Sequence, residues 1–230
     1  MSWLTYWNKK NIWTDSDIWK KNTEIFYKKT FDIFNYNKKH TVLDIGCGNG
    51  DFAKKISNKV GQVYCLDTSQ EFINLCKINV SNKNNIKILK LNNDYTNLSF
   101  LKNINFSIII ANSVVQYYKS QEEIINLVKS VKKIAIKDAY FLIADIHVGD
   151  KKKSYIKLIY NSIFNGYFIA LVKIGLKIFM NKKFRNMVKY HPPLIVNLDK
   201  FIKDLSILVN KVTIINENLT INPDRKHLLI

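Results

Sequence analysis

Cysteine and arginine are scarce in this chain of 230 residues, and long apolar runs are missing. Three cysteines, Cys47, Cys65 and Cys76, are too few for a disulfide framework, and no Cys or His pair has the spacing of metal ligands. We therefore expect reduced, buried cysteines, no metal site and a cytoplasmic location. No run of about 18 apolar residues predicts a transmembrane helix, and the first residues lack the pattern of a secretion signal.

Acidic residues are also few: 18 against 36 basic residues, which gives a formal net charge of +18. Only Arg185 and Arg225 are arginines, and the abundance of Lys, Asn and Ile is typical of an AT-rich coding sequence. Codon usage is therefore one explanation of the charge. The other is functional, because a positive field attracts nucleic acid, anionic lipid or phosphorylated small molecules. The composition leaves both explanations open.

The segment Val42–Gly50 carries most of the functional information. A β-branched apolar run ends in Asp44, glycines follow at positions 46, 48 and 50, and helix-compatible residues come next. This pattern predicts a strand, a tight loop and a helix start, with a backbone that can approach a ligand closely. Asp51 stands where the dinucleotide fingerprint needs glycine, and the Gly-Lys-Ser/Thr of a phosphate-binding P-loop is missing.

The spacing Asp44-x-Gly46-x-Gly48-x-Gly50 resembles the first motif of class I S-adenosylmethionine-dependent methyltransferases. Asp67 ends the next strand, about 20 residues on, where an acid accepts hydrogen bonds from ribose hydroxyls. The resemblance covers roughly residues 38–147. It implies S-adenosylmethionine as cofactor, S-adenosylhomocysteine as product, and an adenine-holding turn around Asp94. The implied cofactor-binding residues are Asp44, Gly46, Cys47, Gly48, Gly50, Asp67, Thr68, Asn93, Asp94, Tyr95 and Asn112, with Tyr6 and Trp7 closing the pocket or simply packing.

Strand and helix patterns alternate from residue 40 onward, which predicts an α/β fold with a parallel sheet covered by helices on both faces. Strands are expected near 40–46, 61–67, 86–91, 105–111, 139–146, 212–215 and 226–230, and helices near 51–58, 69–79 and 120–135. The resemblance implies a Rossmann-like, seven-stranded, mostly parallel sheet with an antiparallel last strand. Residues 1–38 would form an aromatic helical segment over the cofactor, and residues 39–148 and 191–230 the core.

Residues 149–190 form an insert after the fifth strand that is too long for an ordinary connection. Its apolar and aromatic residues predict one or two helices with broad apolar faces, and lysines occupy the remainder. One interpretation is a helical lid on the substrate side of the sheet. The other is a basic amphipathic surface that rests on an anionic membrane or forms a homodimer.

Methyl transfer is an in-line displacement that needs an aligned acceptor and exclusion of water. A neutral hydroxyl acceptor benefits from a general base, and the candidates are His147, Tyr117 and His191. Gln116 and Tyr117 stand where relatives often carry Glu-His, so a base remains unassigned. Ser113 follows Asn112 in place of Pro-Pro-aromatic, which argues against the enzymes that methylate amino groups of adenine or glutamine.

The predicted function is methylation at oxygen of a small or glycan-linked acceptor. The opening Trp3-Leu4-Thr5-Tyr6-Trp7, the segment after the fourth strand and the lid are similar to methyltransferases of bacterial surface-polysaccharide clusters. Some of these act on sugar hydroxyls and some on the anionic phosphoramidate of capsules. Two alternatives stay open, an RNA methyltransferase, disfavoured by the scarcity of arginine, and a cofactor-binding scaffold without catalysis.

Overall fold

A computed structural model describes residues 2–14, 16–92, 94–149 and 151–230 of the chain. Across these ranges, seven strands form one sheet in the order β3-β2-β1-β4-β5-β7-β6. They are β1 (Thr41–Ile45), β2 (Gln62–Asp67), β3 (Ile86–Lys90), β4 (Phe106–Asn112), β5 (Ala135–Ile146), β6 (Thr213–Ile215) and β7 (Lys226–Leu229). Strands β1 to β5 pair in parallel, whereas β7 is antiparallel to both β5 and β6. The predicted Rossmann-like seven-stranded sheet is confirmed.

Helices cover the sheet and continue into the insert. They are α1 (Trp3–Trp7), α2 (Asp17–Phe34), α3 (Asp51–Ser57), α4 (Gln70–Asn79), α5 (Gln121–Lys132), α6 (Lys151–Phe164), α7 (Phe168–Met180), α8 (Lys182–Tyr190) and α9 (Leu198–Ser206). Local sequence explains the best-defined starts: the Ser16 side chain accepts from the Trp19 amide at the start of α2, and Ser69 does the same for Phe72 at α4.

Two apolar clusters, one on each face of the sheet, form the core. On one face, Leu43 and Ile109 pack with residues of α5 and α9; on the other, Val42 and Ile108 pack with residues of α2 and α3. Neighbouring residues of a strand point to opposite faces, so a strand buried on both sides reads as a continuous apolar run. This is why the central strands were recognisable from sequence.

The apolar residues of the insert lie on two helices, α6 and α7, within the predicted one or two, and a third helix, α8, follows that the sequence did not predict. Gly166, at φ +71°, separates α6 from α7, and the Asn181 side chain caps α8 by accepting from the Phe184 amide at 2.8 Å. These helices pack on the N-terminal segment: Phe184 contacts Tyr6, and α7 contacts α2. Within the described ranges, no helix is both long and apolar enough to cross a lipid bilayer.

Candidate active site

The glycine loop between β1 and α3 leaves no room for side chains. Gly46, Gly48 and Gly50 all have left-handed backbones, at φ +72°, +55° and +79°. A Cβ on Gly46 would lie 2.2 Å from Val114 Cγ2, and one on Gly50 would lie 2.5 Å from Cys76 Sγ. Conformation and space therefore both require glycine at positions 46 and 50.

Asp67, at the end of β2, holds the loop in place. Its Oδ2 accepts from the Gly48 amide at 2.9 Å, and its Oδ1 accepts from the Ser69 amide at 2.8 Å. The carboxylate is buried, and burial raises its pKa to about 6 against the lowering effect of these amide bonds. A carboxylate has about four lone-pair sites, so Asp67 retains acceptor capacity for hydroxyl groups of a ligand.

Asp44, which precedes the loop, accepts none of the hydrogen bonds from the Gly46, Cys47 and Gly48 amides. The Gly46 and Cys47 amides donate to the Leu66 carbonyl oxygen at 2.7 and 3.0 Å, and Gly48 donates to Asp67. Asp44 lies buried beneath them, and its Oδ2 has no hydrogen-bond partner among the described residues. Burial, followed by the nearby Cys76 and Asp67, raises the pKa of Asp44 to about 8.

The three cysteines meet under the loop, although they are 29 positions apart from first to last. Their Sγ atoms lie within 4.8 Å of one another, and all three thiols are free and buried. They belong to the apolar cluster that also contains Ala53 and Val80. Cys76 occupies the space that a side chain at Gly50 would need, so it helps to shape the loop.

Helix α1 covers this edge of the sheet with aromatic side chains. The Ser69 hydroxyl donates to the Trp7 carbonyl oxygen at 2.7 Å, which fixes α1 to the start of α4. The Trp7 ring lies 5.3 Å from Tyr117 and 5.8 Å from Phe72, measured between centroids. Trp19 of α2 lies over Gly48, 3.0 Å from the position of its missing Cβ. Tyr6 is buried in the same group, and burial raises its pKa to about 12.

A polar cluster that the sequence did not reveal lies where β4, β5 and β7 come together. The Ser113 hydroxyl donates to Asp145 Oδ2 at 2.8 Å, and Arg225 Nε lies 3.3 Å from Asp145 Oδ1. Ser113 and Asp145 both have left-handed backbones, at φ +59° and +64°. Such strain in residues other than glycine is concentrated at functional sites, which marks this cluster as a candidate acceptor site.

Arg225 has unused hydrogen-bonding capacity in this cluster. Its side chain is 17% exposed, and its Nε and Nη1 have no hydrogen-bond partner among the described residues, although the ion pair with Asp145 remains. The Asp145 backbone amide donates a hydrogen bond to Nδ1 of His227 at 3.2 Å. Burial lowers the pKa of His227 to about 4, so its imidazole is neutral and can accept this bond. The guanidinium thus has free donors facing a buried, low-dielectric site.

The structure places the three candidate bases in different surroundings. The Tyr117 ring is tilted against Trp3 and edge-on to Trp7, and burial raises its pKa, with the charge of Asp145 adding to the effect. Its hydroxyl therefore stays protonated at neutral pH. His147 follows β5, and its carbonyl oxygen accepts from the Val196 amide at 2.7 Å. His191 ends α8 and is exposed.

The remaining predicted cofactor residues that the structure describes lie in the chain at or shortly after the ends of β2, β3 and β4. Thr68 follows Asp67, and Asn112 ends β4 directly before the strained Ser113. Asp94 is exposed and accepts from the Thr96 hydroxyl at 3.0 Å, whereas Tyr95 donates to Glu123 and stacks on Tyr118. Asn93 lies outside the described residues.

Sheet order, glycine loop and acid-terminated β2 together define an α/β domain that binds a nucleoside-containing cofactor at the carboxyl ends of its parallel strands. Comparison with known proteins indicates which class of cofactor-binding domain this is. Residues 42–135 match the family described as a methyltransferase domain. This match agrees with the methyltransferase resemblance that the sequence shows at the glycine loop and Asp67.

Individual relatives are distant. A protein of Bacillus subtilis strain 168 named "Putative methyltransferase YqeM" is 26% identical over 114 residues, which are 50% of this chain and 45% of that protein. The chain thus matches less than half of that relative's length. One similar solved structure is phosphoethanolamine N-methyltransferase 1 of Haemonchus contortus in complex with phosphoethanolamine and S-adenosylhomocysteine. The two chains are 16% identical with a TM-score of 0.53, and the match covers 67% of this chain and 38% of that one. The PH0226 protein of Pyrococcus horikoshii OT3 has a TM-score of 0.50 at 17% identity, covering 61% and 70%. At these identities, the two structures support the fold alone.

Proposed function

We propose that the chain is an S-adenosylmethionine-dependent methyltransferase that methylates an oxygen of an anionic acceptor, and that Arg225 holds the anion. The observation that carries the proposal is the buried guanidinium with unused donors beside Asp145 and Tyr117. Arginine binds phosphate-type groups through two parallel hydrogen bonds. A phosphate or phosphoramidate on a glycan, as in bacterial surface polysaccharides, has this chemistry.

The glycine loop and Asp67 both fit S-adenosylmethionine. The backbone at Gly46, Gly48 and Gly50 is free of Cβ atoms and can approach a ligand, and Asp67 keeps acceptor sites for two ribose hydroxyls. When bound, the cofactor supplies a methyl group on a positively charged sulfur. Tyr6, Trp7 and Tyr117 would exclude water from the edge where that group is transferred.

An anionic acceptor removes the need for a general base in this reaction. A phosphate-type oxygen already carries the electron pair that forms the new bond to carbon, and the carbon–sulfur pair returns to sulfur. No proton has to leave. Tyr117 can donate a hydrogen bond because its raised pKa keeps its proton in place.

The direct test supplies the purified chain with labelled S-adenosylmethionine and four acceptors: a sugar, its phosphate ester, its phosphoramidate and an RNA. We expect label on one or both anionic acceptors. Label on the neutral sugar alone would favour a hydroxyl acceptor, and label on RNA would favour the RNA alternative. Cofactor binding without S-adenosylhomocysteine formation on any acceptor would favour a scaffold.

Replacing Asp67 by alanine should weaken S-adenosylmethionine binding by about 10–150-fold, since hydrogen bonds to a charged group contribute about 1.5–3 kcal/mol. The variant also leaves the Gly48 and Ser69 amides without their partner. Calorimetry on the purified protein measures the affinity. Asp32→Ala is the matched control, because Asp32 is an exposed acid on α2 with no predicted role in cofactor binding. Equal loss in both variants, or binding of NAD(H) instead, would contradict the assignment.

With the anionic acceptor, His147→Ala and Tyr117→Phe should each reduce turnover less than tenfold, and neither should change its pH profile. Loss of a true general base costs about 10²–10⁴-fold and makes turnover depend on the ionisation of that base. Turnover measured with the true acceptor between about pH 6 and pH 9 distinguishes the cases. A large, pH-dependent collapse in either variant would point to a sugar hydroxyl, and His191→Ala would then be the next variant.

A further inference from the structure

Helix α6 presents an apolar stripe to solvent. The stripe follows the spacing of one helical face, and its side chains are between 47% and 73% exposed: Ile156, Ile159, Tyr160, Ile163 and Phe164. On an ordinary surface helix, residues at this spacing face the core. Here Tyr160 and Phe164 stack on each other at 4.4 Å in the exposed stripe.

Helix α7 is apolar on two opposite sides. Its inner side packs into the fold, with Ile174 buried against Ile18 and Tyr167. Its outer side is between 43% and 81% exposed and consists of Ile169, Val172, Leu176, Phe179 and Met180. A helix that is apolar all round is normally buried, so the outer side of α7 indicates a contact outside this chain. We call the exposed apolar residues of α6 and α7 the outer face.

The charge of the segment that carries the outer face has one sign, although Asp224 pairs with Lys157 and Asp17 with Lys173 from other parts of the chain. Residues 151–198 contain nine lysines and Arg185 and no acidic residue, so this segment contributes +10 of the formal charge of +18. Lys157, Lys173 and Lys177 lie on the same two helices and are exposed. A second copy of the chain would bring like charges together, which disfavours a dimer through this face. An anionic lipid surface satisfies both the apolar and the cationic groups.

We propose that the outer face rests on the surface of an anionic lipid bilayer, with α6 and α7 lying in the plane of the headgroups. The helices have 14 and 13 residues, which suits interfacial binding rather than crossing. The proposal stands independently of the reaction, because lipid binding is measured without methyl transfer. Packing of Phe184 on Tyr6 joins the insert to α1, which carries Trp7 against Tyr117. Membrane binding would therefore hold the acceptor edge near lipid-linked molecules.

The test is sedimentation of the full chain with vesicles of phosphatidylcholine alone or mixed with phosphatidylglycerol. We expect binding to the anionic vesicles only, with release by high salt. The double variant Phe164→Ser and Leu176→Ser should bind about tenfold or more weakly, because two apolar side chains lose their burial. The charge variant Lys173→Gln and Lys177→Gln should also weaken binding.

Matched controls lie outside the insert. Ile78→Ser with Phe100→Ser removes side chains that are 73% and 56% exposed, against 70% and 57% for Phe164 and Leu176. Lys77→Gln with Lys102→Gln removes two exposed charges elsewhere. Both controls should bind like the wild type. Failure of the wild type to sediment, equal losses in test and control variants, or a dimer in light scattering that Phe164→Ser with Leu176→Ser dissociates would overturn the proposal.

Discussion

Replacing Arg225 by methionine should reduce kcat/KM for an anionic acceptor by about 100-fold or more. A hydrogen bond to a charged group contributes about 1.5–3 kcal/mol, and the planar guanidinium can make two in parallel. Arg225→Lys keeps the charge but loses the planar pair of donors, so it should recover only part of the activity. Initial rates at subsaturating acceptor, with cofactor in excess, measure the effect.

The control for this variant is the other arginine of the chain. Arg185 lies exposed on α8, 5.7 Å from the Phe179 ring, and Arg185→Met should leave the rate unchanged with a water-soluble acceptor. Arg225→Met also leaves Asp145 buried without its cation, so the melting temperature and the affinity for S-adenosylmethionine must be measured alongside. A folded variant that binds cofactor normally and loses no activity would contradict the role proposed for Arg225.

Replacing Asp44 by asparagine should stabilise the protein increasingly as the pH rises from about 4 to about 8. Burial raises the pKa of Asp44 from 3.8 to about 8, so in this window the folded state keeps a proton that the unfolded state has released. The contribution of Asp44 to the free energy of unfolding therefore falls as the pH rises across this window and is constant outside it. At 1.36 kcal/mol per pKa unit, the variant should gain on the order of 3–5 kcal/mol at pH 8 relative to pH 4.

Urea unfolding of wild type and Asp44→Asn at several pH values measures this difference. The variant should retain a smaller slope between about pH 4 and pH 6, because burial also raises the pKa of Asp67. Asp94→Asn, at an exposed position, should follow the wild-type profile. Parallel profiles for wild type and Asp44→Asn would show that Asp44 is ionised in the folded protein.

Much of the fold was predictable because its signals are local. All seven strands lie within a few residues of their predicted positions. The central strands β1, β2 and β4 are buried on both faces, so each is a short apolar run between turn residues. The helices of the insert were harder to count. Gly166 and Asn181 end helices only through their own backbone and capping geometry, inside a segment that is apolar almost throughout.

The candidate site was predictable only in part. The loop from Gly46 to Gly50 and the acid at Asp67 are read from one short motif and one fixed spacing. Ser113, Asp145 and Arg225 come from three distant segments and share no motif. They meet because β4 pairs with β5 and the antiparallel β7 brings residue 225 beside the end of β5. The rarity of arginine in this lysine-rich chain draws attention to Arg225, but it does not indicate that the side chain pairs with Asp145.

The sequence by itself determined the α/β class, the position of the glycine loop and the match of residues 42–135 to a methyltransferase-domain family, because each depends on residues close together in the chain. Tertiary structure alone decided that the loop amides donate to Asp67 and to the Leu66 carbonyl oxygen, that the three thiols meet, and that Arg225 pairs with Asp145. It also decided that the apolar stripes of α6 and α7 face outward. Periodicity shows that a helix has an apolar side, but only the packing of its neighbours determines whether that side is buried.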